Sequence, residues 1–301
     1  MHMRDEVRKN VNISVTQENR EIQKLEEGAV QMESDEKRLL PKLKWNYTSM
    51  DYNAIACDRI RANGALFRLV AIASFIEITS DLYTKNLAVF YGDNETLRYW
   101  LTEVWEPEEL QHGWALRRYI ATVWPAFDWE TAYNGFRKEY GSMCTIDALE
   151  PAQAGEMVAR MVVETGTSTF YKALHAYAVD LEEPVLAQIA ANISKDEIYH
   201  FERFETMFRH YNETRKLSRT EITRIIVGRL REASEEDIAT ALRYIQPDCA
   251  FETLQSWKGY AKKYYPYSMA IKMLMRPLNL NPLVEKAVAA SLRSSLKVFG
   301  I

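Results

Sequence analysis

Hydrophobic and polar positions along the chain fall into long segments of helical period, and no stretch alternates convincingly enough for a sheet. Residues 1–40 are charge-rich with scattered apolar positions and end at Pro41, which predicts a surface helix or arm. From Asp51 to Tyr91 the pattern is helical, with Gly92 as a C-terminal cap. Asp93 or Asn94 can cap a following helix to about Trp124, where Pro125 stops it. Pro151 and Pro184 stand where first helical turns begin, opening segments at about 151–181 and 184–211. Residues 218–245 predict two shorter amphipathic helices, the second opened by a capping box at Ser234 with Asp237. The tail from Pro266 is broken by Pro277 and Pro282 before a closing helix. The expected fold is all-α. It comprises an N-terminal helical arm (1–44), a four-helix bundle (45–212) and a helical extension packed on it (213–301), a single domain overall.

Two charges interrupt otherwise apolar helix. Residues 69–80, LVAIASFIEITS, carry no charge but Glu77, and residues 161–171, MVVETGTSTFY, none but Glu164. A lone carboxylate in apolar helix is costly to bury without a partner, although Glu77 could bond Ser74 or Ser80. The other two long segments each hold a Glu-x-x-His, in WEPEELQHG (Glu109, His112) and DEIYH (Glu197, His200). Residues three apart share a helix face. Of the five histidines only these two follow a glutamate at that distance. Glu77 precedes Glu109 by 32 residues and Glu164 precedes Glu197 by 33, so the two halves repeat one hairpin. One Glu from each of two helices plus a Glu-x-x-His from each of the other two is the ligand recipe of a two-metal site in a helix bundle. Glu103, Glu106 and Glu108 lack the spacing to a histidine and are read as solvated or supporting residues. Four carboxylates and two neutral imidazoles carry four negative charges, which two divalent ions cancel. Without thiolate the set suits iron or manganese over structural zinc, and it points to two Fe ions that activate O2 as co-substrate.

Composition narrows the setting. A net charge of −4 argues against a nucleic-acid partner. Three scattered cysteines form no CxxC and no disulfide framework, so a reducing cytoplasm is expected. No secretory signal and no apolar run of membrane-spanning length are visible.

At these residues the sequence resembles the ferritin-like di-iron proteins, and among them most the soluble acyl-acyl-carrier-protein desaturases, over roughly residues 45–211. The first family motif, two glutamates, two variable residues and His-Gly, is EELQHG here. The second, Asp-Glu-x-x-His, is DEIYH, after the family-like LAQIAANIS. The resemblance implies Thr167, three residues after Glu164, beside the oxygen-binding face, and Asp196 and Trp45 as aids to electron delivery. Asp196 also suits a partner that orients a ligating histidine, and Thr167 could bond back to a helix carbonyl. The chain departs from the family at Leu110-Gln111, at Ile198-Tyr199, at Phe201 and at Pro107.

The resemblance implies an O2-dependent oxidoreductase that desaturates an acyl chain held on an acyl carrier protein, with a ferredoxin-like electron donor. The alternatives are a hydroxylase or N-oxygenase of a small-molecule substrate, a ferroxidase or iron-storage protein, and a metal-free bundle. Residues 215–231 hold six Arg or Lys against one Glu. They read either as a docking face for an acidic carrier or as a solvated helix face. The closing segment either covers the bundle or meets a second copy in a homodimer.

Overall fold

Asn63 begins the first long helix by accepting the Leu66 N–H at 3.0 Å. In this computed structural model, which describes residues 43–245 and 259–298, every regular element is helical. The chain divides into two units, Met1–Asn46 and Tyr47–Ile301. The expected arm lies outside the described residues up to position 42, and all the helices below belong to the second unit.

Residues 51–63, expected to be helical, form short turns and a single helical turn, α1 (Cys57–Ile60). The long helix that follows, α2 (Gly64–Ile78), is apolar on nearly every side and buried accordingly. A one-residue break at Thr79, whose hydroxyl donates to the Ile76 carbonyl at 2.7 Å, leads into α3 (Ser80–Phe90). Gly92 lies in the next turn but not in the left-handed region. Its N–H donates to the Val89 carbonyl at 3.2 Å, so it is not the cap that was expected. Asn94 caps α4 (Glu95–Trp100) by accepting the Leu97 N–H at 2.9 Å. That helix continues through a π turn, Leu101–Trp105, into α5 (Glu106–Val123). The π turn accounts for Pro107. A proline ring clashes with the carbonyl four residues earlier in a regular helix, and the wider turn, with Glu106 N–H bonded to the Leu101 carbonyl, relaxes that crowding.

A helix that the hydrophobic pattern did not single out, α6 (Trp129–Gly141), packs Trp129, Tyr133 and Phe136 against Phe75 of α2. Next come α7 (Gln153–Asp180) and α8 (Pro184–Arg215), with Pro184 in the first turn and Glu183 as its cap. Ser218 and Glu221 form the capping box of α9 (Arg219–Glu232). No helix starts at Ser234, where a capping box was expected, because α9 runs on through a π turn, Ala233–Ile238, into α10 (Ala239–Ile245). The Asp237 carboxylate instead accepts from the Tyr140 hydroxyl at 2.8 Å. The described tail carries α11 (Tyr267–Met275) and α12 (Pro282–Val298). Helix α2 lies along α5, α7 lies along α8, and α5 meets α8. Helices α9 and α11 cover α7, while α10 packs on α6 and α2. No helix among the described residues is long and apolar enough to cross a membrane.

Candidate metal centre

Each long helix contributes what its sequence suggested. Glu77 comes from α2, Glu109 and His112 from α5, Glu164 from α7, and Glu197 and His200 from α8. None of the six is more than 6% exposed. They converge as two groups, Glu77–Glu109–His112–Glu197 and Glu109–Glu164–Glu197–His200, and in each group the donor atoms lie within 4.8 Å of one another. Glu109 and Glu197 belong to both. His112 Nδ1 lies 3.0 Å from Glu197 Oε1 and 3.5 Å from Glu77 Oε2. His200 Nδ1 lies 3.1 Å from Glu109 Oε1 and 3.6 Å from Glu164 Oε2. The two halves are therefore related by a near two-fold exchange.

The residues behind the imidazoles repeat that exchange. His112 Nε2 donates to Asp196 Oδ2 at 3.3 Å, and His200 Nε2 donates to Glu108 Oε2 at 2.8 Å. A carboxylate only accepts, so each fixes the proton on Nε2 and turns the Nδ1 lone pair inward. Asp196 thus orients a histidine as expected, and the histidine is that of the other motif. Glu108 is the matching residue in the first motif. The acid just before each ligand glutamate, EE in one motif and DE in the other, is the signal that pairs them. Glu77 bonds neither candidate serine. Ser74 donates to the Ala71 carbonyl, and Glu77 Oε1 accepts from the buried Tyr171 hydroxyl, a residue the sequence did not flag. Thr167 Oγ1 donates to Glu197 Oε2 at 2.6 Å and also lies 3.3 Å from the Val163 and Glu164 carbonyls. His175 bonds the Ala187 carbonyl, and His210 sits on the exposed surface beside Tyr211. Trp45, half-buried in a bend, falls in the first unit.

Packing this much charge together displaces its titration. Burial, then Glu197, pushes Glu164 up to about 8. Burial, Glu197 and Glu77 hold Glu109 well above the usual carboxylate range. Burial disfavours the imidazolium of His112, but the neighbouring carboxylates of Asp196, Glu197 and Glu77 outweigh it and raise the group well above its ordinary range. His200 behaves alike through Glu108, Glu109 and Glu164. Burial also opposes ionisation of Glu197, yet the two histidines hold it well below its ordinary value. The metal-free cluster therefore retains protons that divalent cations would replace. Both oxygens of Glu164, Oε1 of Glu197 and Nδ1 of His200 are buried without a hydrogen-bond partner, which the donor set of a metal site explains.

The glycine of EELQHG has a steric reason. A Cβ at Gly113 would stand 2.2 Å from Ile78 Cγ1 and 2.8 Å from Ile78 N, so α2 and α5 cross there at a separation only glycine allows. A cavity of about 50 Å³ opens against Glu77, Glu109, Glu164, Glu197 and Thr167. Its wall also includes Arg160, Arg229 and Asp237, none of which the sequence pattern marked as a site residue. No family model, curated protein or solved structure matches the chain.

Proposed function

We propose that the protein is a ferritin-like, dimetal, O2-dependent oxidoreductase that acts on a small polar substrate. The observation that carries this reading is the pair of buried four-donor groups sharing Glu109 and Glu197, with a cavity against them. The order Glu, Glu-x-x-His, Glu, Glu-x-x-His over four helices supports the bundle type. Glu77, Glu109, His112 and Glu197 would hold one ion, and Glu109, Glu164, Glu197 and His200 the other. Two irons in that set supply O2 activation when bound. The chain supplies the rest. Asp196 and Glu108 hold the imidazole proton on Nε2 and aim Nδ1 at the ion, Tyr171 and Thr167 fix Glu77 and Glu197, and Ile76, Val163 and Trp105 limit water at the cavity wall.

The substrate class follows from the cavity. Its volume of about 50 Å³ admits on the order of four water-sized groups. A cavity of that size does not take a long acyl chain, and beyond the ligand glutamates three charged side chains, Arg160, Arg229 and Asp237, stand in its wall to meet a polar group. The stretch considered for carrier docking is also largely committed elsewhere. Arg215 pairs with Glu221, Arg224 with Glu150, and Arg229 with Glu232 and Asp237, while Arg219 donates to the carbonyls of Leu278 and Asn279.

Anaerobic reconstitution with ferrous iron should give close to two irons per chain. His112→Ala should lose at least one, while His175→Ala keeps both. With reductant and O2, product masses should show oxidation of small acids or amines and not of acyl thioesters. A content near one, or a single zinc-selective site, would overturn the dimetal reading.

A further inference from the structure

Arg160 precedes Glu164 by one turn of α7, so the two side chains share a helix face and both line the cavity. Its side chain is buried, at 5% exposure, where a guanidinium with five donors needs acceptors. Among the described residues its one ion pair is with Glu156, Nε to Oε1 at 2.8 Å, at an angle that makes no hydrogen bond. Glu156 lies one turn further back and spends its other oxygen on the Glu150 N–H at 2.9 Å. The Tyr83 ring lies 5.5 Å from the guanidinium carbon. Among the described residues no acceptor takes a hydrogen bond from either terminal NH2 group. Arg229, the other cation of the wall, is engaged by Glu232 at 3.1 Å and by Asp237 at 3.5 Å.

We propose that Arg160 is the carboxylate-binding residue of the site and that its ligand is a small monocarboxylic acid. The two terminal NH2 groups form a planar fork that matches a carboxylate with two parallel hydrogen bonds. Four residues along a helix advance about 6 Å, so an acid held at Arg160 places a carbon roughly three to four bonds away beside Glu164. A phosphate ester would bring a second negative charge against the cluster's glutamates, where a monocarboxylate brings one. The inference rests on the proposed function for what is then done to the acid. Binding itself needs no metal.

The test uses the metal-free full-length protein with propionate, butyrate and valerate, the matching amides and inorganic phosphate, read by calorimetry and by thermal shift. The acids should bind with Kd below about 10 mM and raise the melting temperature, while amides and phosphate do not. Arg160→Gln should weaken acid binding at least about tenfold, and Arg160→Lys, which keeps charge without the fork, should fall between. If Arg160→Gln does not fold, Arg160→Lys decides alone, and acid affinity equal to the parent's overturns the proposal. It is also overturned if amides or phosphate bind as well as acids, if Arg160→Gln binds acids within twofold of the parent, or if no acid binds at about 10 mM. Acid binding by a protein that takes up no iron would sink the dimetal reading and leave this one standing.

Discussion

His112 and His200 are held from outside the cluster by acids that belong to the opposite motif, and this crossing makes a sharp prediction. Glu108→Gln and Asp196→Asn should act alike. An amide can donate to Nε2, which moves the imidazole proton to Nδ1, the atom turned toward the other ligands. Each variant should weaken iron binding by about 10- to 100-fold, at one of the two ions, with little change in metal-free melting temperature. Iron titration followed by its optical spectrum checks this, and a Glu108→Gln protein that binds two irons like the parent would refute the symmetry. The six clustered residues were legible because a charge inside apolar helix is tolerated only where partners converge on it, and the repeated register supplied those partners. Tyr171 was not, since its partner lies 94 positions away and nothing local marks it. Arg160 was hidden for a different reason. Glu156 and Arg160 at i and i+4 read as an ordinary surface ion pair, and only the packing shows them 1% and 5% exposed.

Helix geometry sets how closely the ligands can approach. Gly113 lies between the neighbours of two ligands, beside His112 and against Ile78, which follows Glu77. Gly113→Ala would force α2 and α5 apart, because one of the contacts is with the Ile78 backbone and cannot rotate away. The expected cost is about 1–3 kcal/mol of stability, together with weaker iron binding at the His112 side. Ile78→Ala in the same chain should recover only part of either, read by chemical denaturation and iron titration. Wild-type iron affinity in Gly113→Ala would show that the crossing has slack. The helix that the hydrophobic pattern left unmarked has the same kind of cause. Within α6 the apolar positions 129, 132, 133, 136 and 140 keep helical spacing, but Gly135 interrupts them. That glycine faces the Tyr244 ring, which a Cβ would meet at 2.4 Å. A contact 109 residues away thus imposes a residue that locally argues against helix. The capping box misread at Ser234 is similar, since Asp237 is claimed by Tyr140 and Arg229 rather than by its own backbone.

At the scale of the whole chain, substrate choice depends on where cationic side chains are spent. A docking surface for an acidic carrier works through unsatisfied positive charge that steers association and is screened by salt. In α9 and the turn before it, four of the six basic residues are tied to acids or carbonyls. Arg229 is also turned inward to the cavity wall. On the proposed reading the positive charge that meets the substrate lies inside, at Arg160, and not on the surface of α9. Reversing the surface charges tests this division. Arg224→Glu with Arg231→Glu should leave turnover of a small acid within about twofold of the parent at every ionic strength, because that substrate never contacts α9. Iron content should be unchanged, since neither residue touches the cluster. The competing, carrier-dependent reading makes the opposite prediction. The double variant would lose about tenfold or more in kcat/KM on carrier-bound chains at low salt, and the parent would fall toward it near 0.5 M salt, where charges are screened within about 4 Å. That second pattern would return the acyl-carrier substrate to first place and confine Arg160 to a structural role.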